Sequence, residues 1–189
     1  MTQYAIFSIQ TAPIQLQDFF ELSEEEQMKK INPLDSRIIS IGVLYKGNVS
    51  IFSKGPESDI IADFWSFFKN TISASTQLVG FNAKQFEIPF IVTRSFILNV
   101  NVPPFSLKNI LDLREHIHAF RFGQTRGKLR EFGQVLGVPS KEIEAKDIVK
   151  LHFSKEQEKL SELLLYDITI TQKILTRLVE TGIIHISRF

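Results

Sequence analysis

The 189 residues include 22 Lys and Arg against 21 Asp and Glu, a hydrophobic fraction of 43% and no cysteine. That length can bury one sizeable core, and the charge balance excludes a global field that would draw the chain to nucleic acid or an anionic membrane, so any polyanion contact has to be local. The missing cysteines exclude disulfides and thiolate metal sites and fit a reducing, cytoplasmic setting, while neither an export signal nor a membrane span of roughly 18 apolar residues is in view.

In chain order, residues 4–10 form a short apolar run with interleaved polar side chains, closed by Thr11-Ala12-Pro13, which predicts a strand. Residues 18–30, with Glu21 and Glu24, Glu25 and Glu26, read as a short surface helix or insertion whose charges form a solvated face. Residues 37–45 and 48–53 are β-branched runs joined by Lys46-Gly47, the pattern of an antiparallel hairpin. Residues 58–72 set Ile60, Ile61, Phe64, Trp65, Phe67 and Phe68 at helical spacing behind an acidic first turn. A buried strand is expected over 77–81, then a helix over 86–98 that tolerates Pro89 in its first turn. Residues 106–113 read as a fifth strand, 128–136 as a helix stopped by Gly137 and Pro139, and 142–152 as another helix. The last long helix runs over about 156–180 and Gly182 closes it. Without repeat or linker, this order predicts one α/β domain over residues 1–189, a mixed five-stranded sheet with helices on both faces.

Three segments carry a more specific signal. They are Ile6-Phe7-Ser8-Ile9-Gln10-Thr11, the string LVGFNAKQFEIPF at residues 78–90, and Tyr166-Asp167-Ile168-Thr169-Ile170-Thr171. In this order they resemble the motifs of the predicted 3'-5' exonuclease family related to the proofreading domain of family-B DNA polymerases, whose fold is RNase H-like. Asp112 within Ile110-Leu111-Asp112-Leu113, and a leucine-rich segment from Lys128 ending in Leu136-Gly137-Val138-Pro139, add to the resemblance. Together the matches span most of the chain.

The resemblance implies a two-metal nuclease site, in which several carboxylates converge on hard divalent cations that activate water and stabilise the leaving oxygen. Two acids one residue apart on the first strand share a face because side chains alternate. At those two positions stand Ser8 and Gln10, which keep the geometry without the charge. Glu87 stands where the family has aspartate, and Asp167 matches the final acid, so two carboxylates remain where four are expected. The family's proton-handling tyrosine or histidine, four or five residues before the last acid, is replaced by Leu163 or Glu162. Tyr166, next to Asp167, points about 100° away on a helix and is not an obvious substitute.

The implied outcome is a catalytically degenerate relative with no metal cofactor. Mg²⁺ or Mn²⁺ enters only if Glu87, Asp167 and Asp112 form a non-standard active exonuclease. Loss of acids also removes repulsion for phosphate, so single strands or 3' ends of nucleic acid are the expected partners, alone or with a protein partner in a replication or repair assembly. Asn82, in the loop after a strand, can reach phosphate or sugar, or can simply stabilise a turn. Residues 120–130 hold Arg121, Arg126, Lys128 and Arg130 beside Phe120 and Phe122 without an acid, which suits a backbone grip with base stacking as well as it suits a solvated loop. His116 and His118 have a spacing that suits metal ligation only on a strand and lack a third ligand, so packing or surface roles are expected. A scaffold that no longer meets nucleic acid is the third reading.

Overall fold

A computed structural model of the chain describes residues 3–16, 18–73, 75–121, 127–139 and 145–187. The sheet is built outward from Gln3–Pro13 (β1), which is longer than the sequence pattern suggests and buried along most of its length. On one side β1 pairs antiparallel with Ser36–Tyr45 (β2), and the tight Lys46-Gly47 turn returns the chain along the outer edge as Asn48–Phe52 (β3). On the other side β1 runs parallel to Thr76–Gly80 (β4), which runs parallel to Ile110–Asp112 (β5). The order is therefore β3-β2-β1-β4-β5. This mixed sheet follows from one hairpin plus two crossover connections, as the element order predicted.

The acidic insertion is a helix, Glu24–Lys30 (α1), whose start is fixed by a reciprocal cap between Ser23 and Glu26. Glu57–Thr71 (α2) and Ile88–Ile97 (α3) cover one face of the sheet. There Phe7 and Ile9 of β1, with Ile38, Ile41 and Val43 of β2, meet Ile61, Phe64 and Trp65 of α2 and Phe90 and Ile91 of α3. The opposite face carries Leu113–Ile117 (α4), Leu129–Val135 (α5), Ala145–Phe153 (α6) and Gln157–Glu180 (α7). Ile6, Val79 and Leu111 pack there against Leu164, Ile168 and Ile174 of α7. Strand alternation thus commits Ile6, Ser8 and Gln10 to the α7 side.

Three local departures from the sequence pattern have physical causes. The expected strand at 106–113 is reduced to three residues from both sides: the Ser106 side chain accepts the Lys108 N–H at the start of a 3₁₀ turn, Leu107–Asn109, and the Asp112 side chain accepts the Arg114 N–H and starts a helix at Leu113. The expected helix at 86–98 is preceded by a π-helical turn, Ala83–Glu87, so that Glu87 lies at the junction and Pro89 falls in the first turn of α3. The β1–β2 register slips between Gln10 and Thr11, which leaves Ile39 as the extra residue of a bulge beside the candidate site. No helix among the described residues is long and apolar enough to cross a membrane.

Glu57, at the start of α2, and Arg94, on α3, make a two-pronged ion pair at 2.8 and 2.6 Å with side-chain exposures of 9% and 7%. Glu57 also accepts the Ile38 N–H at 2.7 Å, and Arg94 donates to the Pro33 carbonyl at 3.0 Å, so both buried charges are satisfied across four segments. Removal of either partner strands the other charge in a medium that solvates it poorly. We predict that Arg94→Met lowers the unfolding free energy by about 3–5 kcal/mol in urea titrations. A loss below about 1 kcal/mol, within the range of exposed pairs, would refute the assignment.

Candidate functional site

The site lies on the α7 face, near the C-terminal ends of the parallel strands. Gln10, only 2% exposed, donates from its amide to the Leu160 carbonyl of α7 at 2.9 Å and accepts the Ser40 hydroxyl of β2 at 2.7 Å. The amide is matched to both neighbours. A carboxylate at the same place would set a second acceptor against the Leu160 carbonyl and lose the bond that the amide donates. Ser8, two residues earlier on the same face, is also buried.

Glu87 reaches toward Ser8 from the π turn. It fits because Gly80 has no side chain: a Cβ there would stand 2.5 Å from Glu87 Oε2 and 2.8 Å from the Phe7 ring. Glu87 is 5% exposed and its Oε2 has no hydrogen-bond partner among the described residues. Burial, and then the negative charges of Asp112 and Asp167, push its carboxyl well above the ordinary carboxylate range, against the pull of the Ser8 hydroxyl and the Ile9 backbone.

Asp112 is fully buried and receives three backbone N–H groups, from Asn82 at 3.0 Å, Lys84 at 2.9 Å and Arg114 at 3.0 Å. Burial raises its carboxyl from the usual value while these donors pull it back. Its oxygens are spent on holding loops. Asn82 adopts a left-handed backbone (φ 65°) at the start of the π turn, and its half-buried side chain makes no cap. Its backbone N–H is committed to Asp112, and its carbonyl accepts the Gln85 and Phe86 N–H groups.

Asp167, the preserved acid of α7, faces Arg130 of α5. The guanidinium bonds both carboxylate oxygens, Nε to Oδ1 at 3.1 Å and Nη2 to Oδ2 at 3.3 Å. Burial raises the Asp167 carboxyl, and Arg130 opposes that shift. Leu163 is packed inside, Glu162 is exposed, and Tyr166 donates its hydroxyl to the Pro139 carbonyl at 2.7 Å, so none of them is aimed at Asp167 as a proton carrier. Among the described residues no group of three or more His, Asp or Glu is arranged to hold a metal ion. The residues at the site do not fit the metal pair that the motifs imply.

The basic segment is divided. Arg121 is exposed, and Lys128 is 76% exposed and lies 3.7 Å from the equally exposed Glu24, a weak contact. Arg130, expected to face a nucleic-acid backbone, is turned to Asp167 instead. Arg126 and Phe122 lie outside the described residues. His116 hydrogen-bonds through Nδ1 with the Asp112 carbonyl at 3.0 Å and stacks near Phe120, while His118 lies against the Phe132 ring. Both histidines are packing residues on or beside α4. The pairing of Arg130 was missed at the sequence level, although a lone aspartate beside the apolar Leu164 and Ile168 positions of α7 is a sign that a cation must come from a neighbouring helix. Asp112 with Glu115 three residues later, an unread helix-start signal, marked α4.

A family model described as the RNase H superfamily matches residues 28–178. The chain belongs to the RNase H superfamily. No curated protein matches the sequence. Among solved structures, the family B DNA polymerase from the hyperthermophilic archaeon Pyrobaculum calidifontis shares the fold with a TM-score of 0.70 and 17% identity, over 97% of this chain and 25% of that one. This RNase H superfamily member therefore spans a quarter of the polymerase chain, and the likeness is one of fold. The expected RNase H-like architecture is borne out, as superfamily membership and as a fold shared with a family B DNA polymerase.

The electrostatics of Glu87 have a measurable consequence. With its carboxyl raised in the folded state, folding takes up a proton at pH values above the ordinary 4.5, so stability falls as pH rises through that window. We predict that Glu87→Gln flattens this slope, with wild type losing on the order of 1 kcal/mol or more relative to the variant between about pH 4 and pH 8 in urea unfolding. Parallel pH profiles for the two proteins would mean that Glu87 ionises normally in the fold.

Proposed function

We propose that this chain is a nucleic-acid-binding RNase H-like domain of exonuclease type that engages single strands or 3' ends without metal and without cleaving them. The observation that carries the reading is Gln10: the position that must supply a metal-binding carboxylate holds a buried amide locked by two hydrogen bonds to groups of its own core. An amide so engaged neither binds a hard cation strongly nor is replaceable by one. Against a non-standard active site built from Glu87, Asp112 and Asp167 stand three engagements. Asp112 is taken by three amides, Asp167 by a guanidinium, and Glu87 is buried in the crowded space opened by Gly80.

A binding role is supported by what remains exposed around the cleft. Phe81, beside Asn82, packs on Phe132 of α5, which draws the Asn82 loop toward the helix that follows Lys128. Arg121 and Lys128 supply accessible cations, and Phe120 an aromatic face partly covered by His116. Of the acids at the cleft, Asp167 is paired with Arg130 and Asp112 with three backbone amides, which limits their repulsion of phosphate. The fold shared with a family B DNA polymerase supports nucleic-acid ends as the ligand class, and a replication or repair assembly as the setting.

The test is a labelled single-stranded oligonucleotide titrated with the full chain in EDTA and again in Mg²⁺ or Mn²⁺. Affinity is expected to be the same in both and to fall log-linearly with salt, with the 3' end intact after prolonged incubation. Lys128→Ala and Arg121→Ala are each expected to weaken binding and to reduce the salt slope by about 1, as the loss of one phosphate contact should. Metal-dependent trimming of the 3' end that disappears in Asp167→Asn would establish an active exonuclease. Absence of binding at low salt would leave a protein scaffold.

A further inference from the structure

We infer that the Arg130 guanidinium is the resident cation of this cleft, neutralising Asp167 in place of a divalent ion, and that it excludes metal independently of the acids missing from β1. The inference deepens the reading of a non-catalytic cleft and rests on it.

The contact is built by the register of two helices. Arg130 and Gly133 lie three residues apart on one face of α5, and Asp167 and Ile170 three apart on one face of α7. A Cβ at Gly133 would stand 2.9 Å from the Ile170 side chain, so the helices approach where α5 is bare. One turn away, that close approach puts Arg130 against Asp167. Both oxygens of the carboxylate are engaged, and the side chains are largely covered, at 22% exposure for Arg130 and 13% for Asp167. A pair this covered is screened far less by salt and water than one at the surface.

A guanidinium differs from a metal ion in ways that suit a permanent occupant. It cannot lose its proton, it is tethered, and its planar fork matches a carboxylate at two points. It also carries positive charge within a few ångströms of where a divalent ion would have to stand, and like charges repel strongly in a poorly screened site. Restoring the acids of β1 alone would leave that repulsion in place.

Mn²⁺ binding to the full-length S8D/Q10E and S8D/Q10E/R130Q variants, followed by electron paramagnetic resonance and calorimetry, separates the two contributions. The triple variant is expected to bind Mn²⁺ at least about tenfold more tightly than the double variant. Equal affinity in the two, or no binding by a folded triple variant, overturns the role of Arg130. Should the acidic pair prevent folding, S8D and S8D/R130Q, which leave the Gln10 amide in place, are compared in the same way: tighter Mn²⁺ binding by S8D/R130Q supports the inference, and equal affinity overturns it. Tight Mn²⁺ binding by the wild type would instead overturn the metal-free reading of the cleft itself.

Discussion

One buried carboxylate organises the end of the sheet at which the cleft lies. Asp112 ends β5, caps α4 through the Arg114 N–H, and holds the Asn82 and Lys84 amides across the gap to β4. Three donors on one carboxylate make a charge-assisted cluster, each bond stronger than its neutral counterpart. The π turn starts from the loop so fixed, and Glu87 is the last residue of that turn. Asp112 therefore sets where Glu87 stands relative to Ser8, and where the Asn82 side chain emerges, without itself facing the cleft as an available ligand.

The polar groups of the cleft are answered from within the protein. Gln10 is bonded to a strand and a helix, Asp167 to a neighbouring helix, Asp112 to three amides. Glu87 is the exception, with one buried oxygen that has no hydrogen-bond partner among the described residues. A carboxyl left in that condition relieves its own desolvation by holding a proton, which costs less than burying an unpaired charge. Internal satisfaction of this kind favours rigidity over chemistry, since catalysis at a metal centre depends on oxygens left free to coordinate.

How much of this was legible in the sequence follows from the range of the forces involved. Alternation in β1 and β2 and the helical spacing of Ile60, Ile61, Phe64, Trp65 and Phe68 are local signals of burial, and they place the sheet and α2 correctly. The motif at residues 78–90 placed Glu87 near the cleft. The π turn was hidden because AKQFE has ordinary helical composition, and the amides at its start are held by Asp112, a residue some 30 positions away. The truncation of β5 was hidden by the apolar Ile110, Leu111 and Leu113, beside which the side-chain caps of Ser106 and Asp112 prevailed over strand propensity. The partner of Arg130 was hidden for the same reason of distance: it is met where α5 approaches α7 at Gly133, which no local pattern encodes.

The brevity of β5 also bears on how this protein behaves in company. A sheet ends in two rims of unpaired amides and carbonyls, and each is a template for a stray strand from another molecule. Here one rim is three residues long and turns at once into a helix, while the other is five residues long and is flanked by Lys46 and Lys54. Neither offers enough consecutive backbone groups to seed fibrous assembly, and the lysines add mutual repulsion at the longer one. The same carboxylate that shapes the cleft thus closes one end of an edge, and the turn begun by Ser106 closes the other.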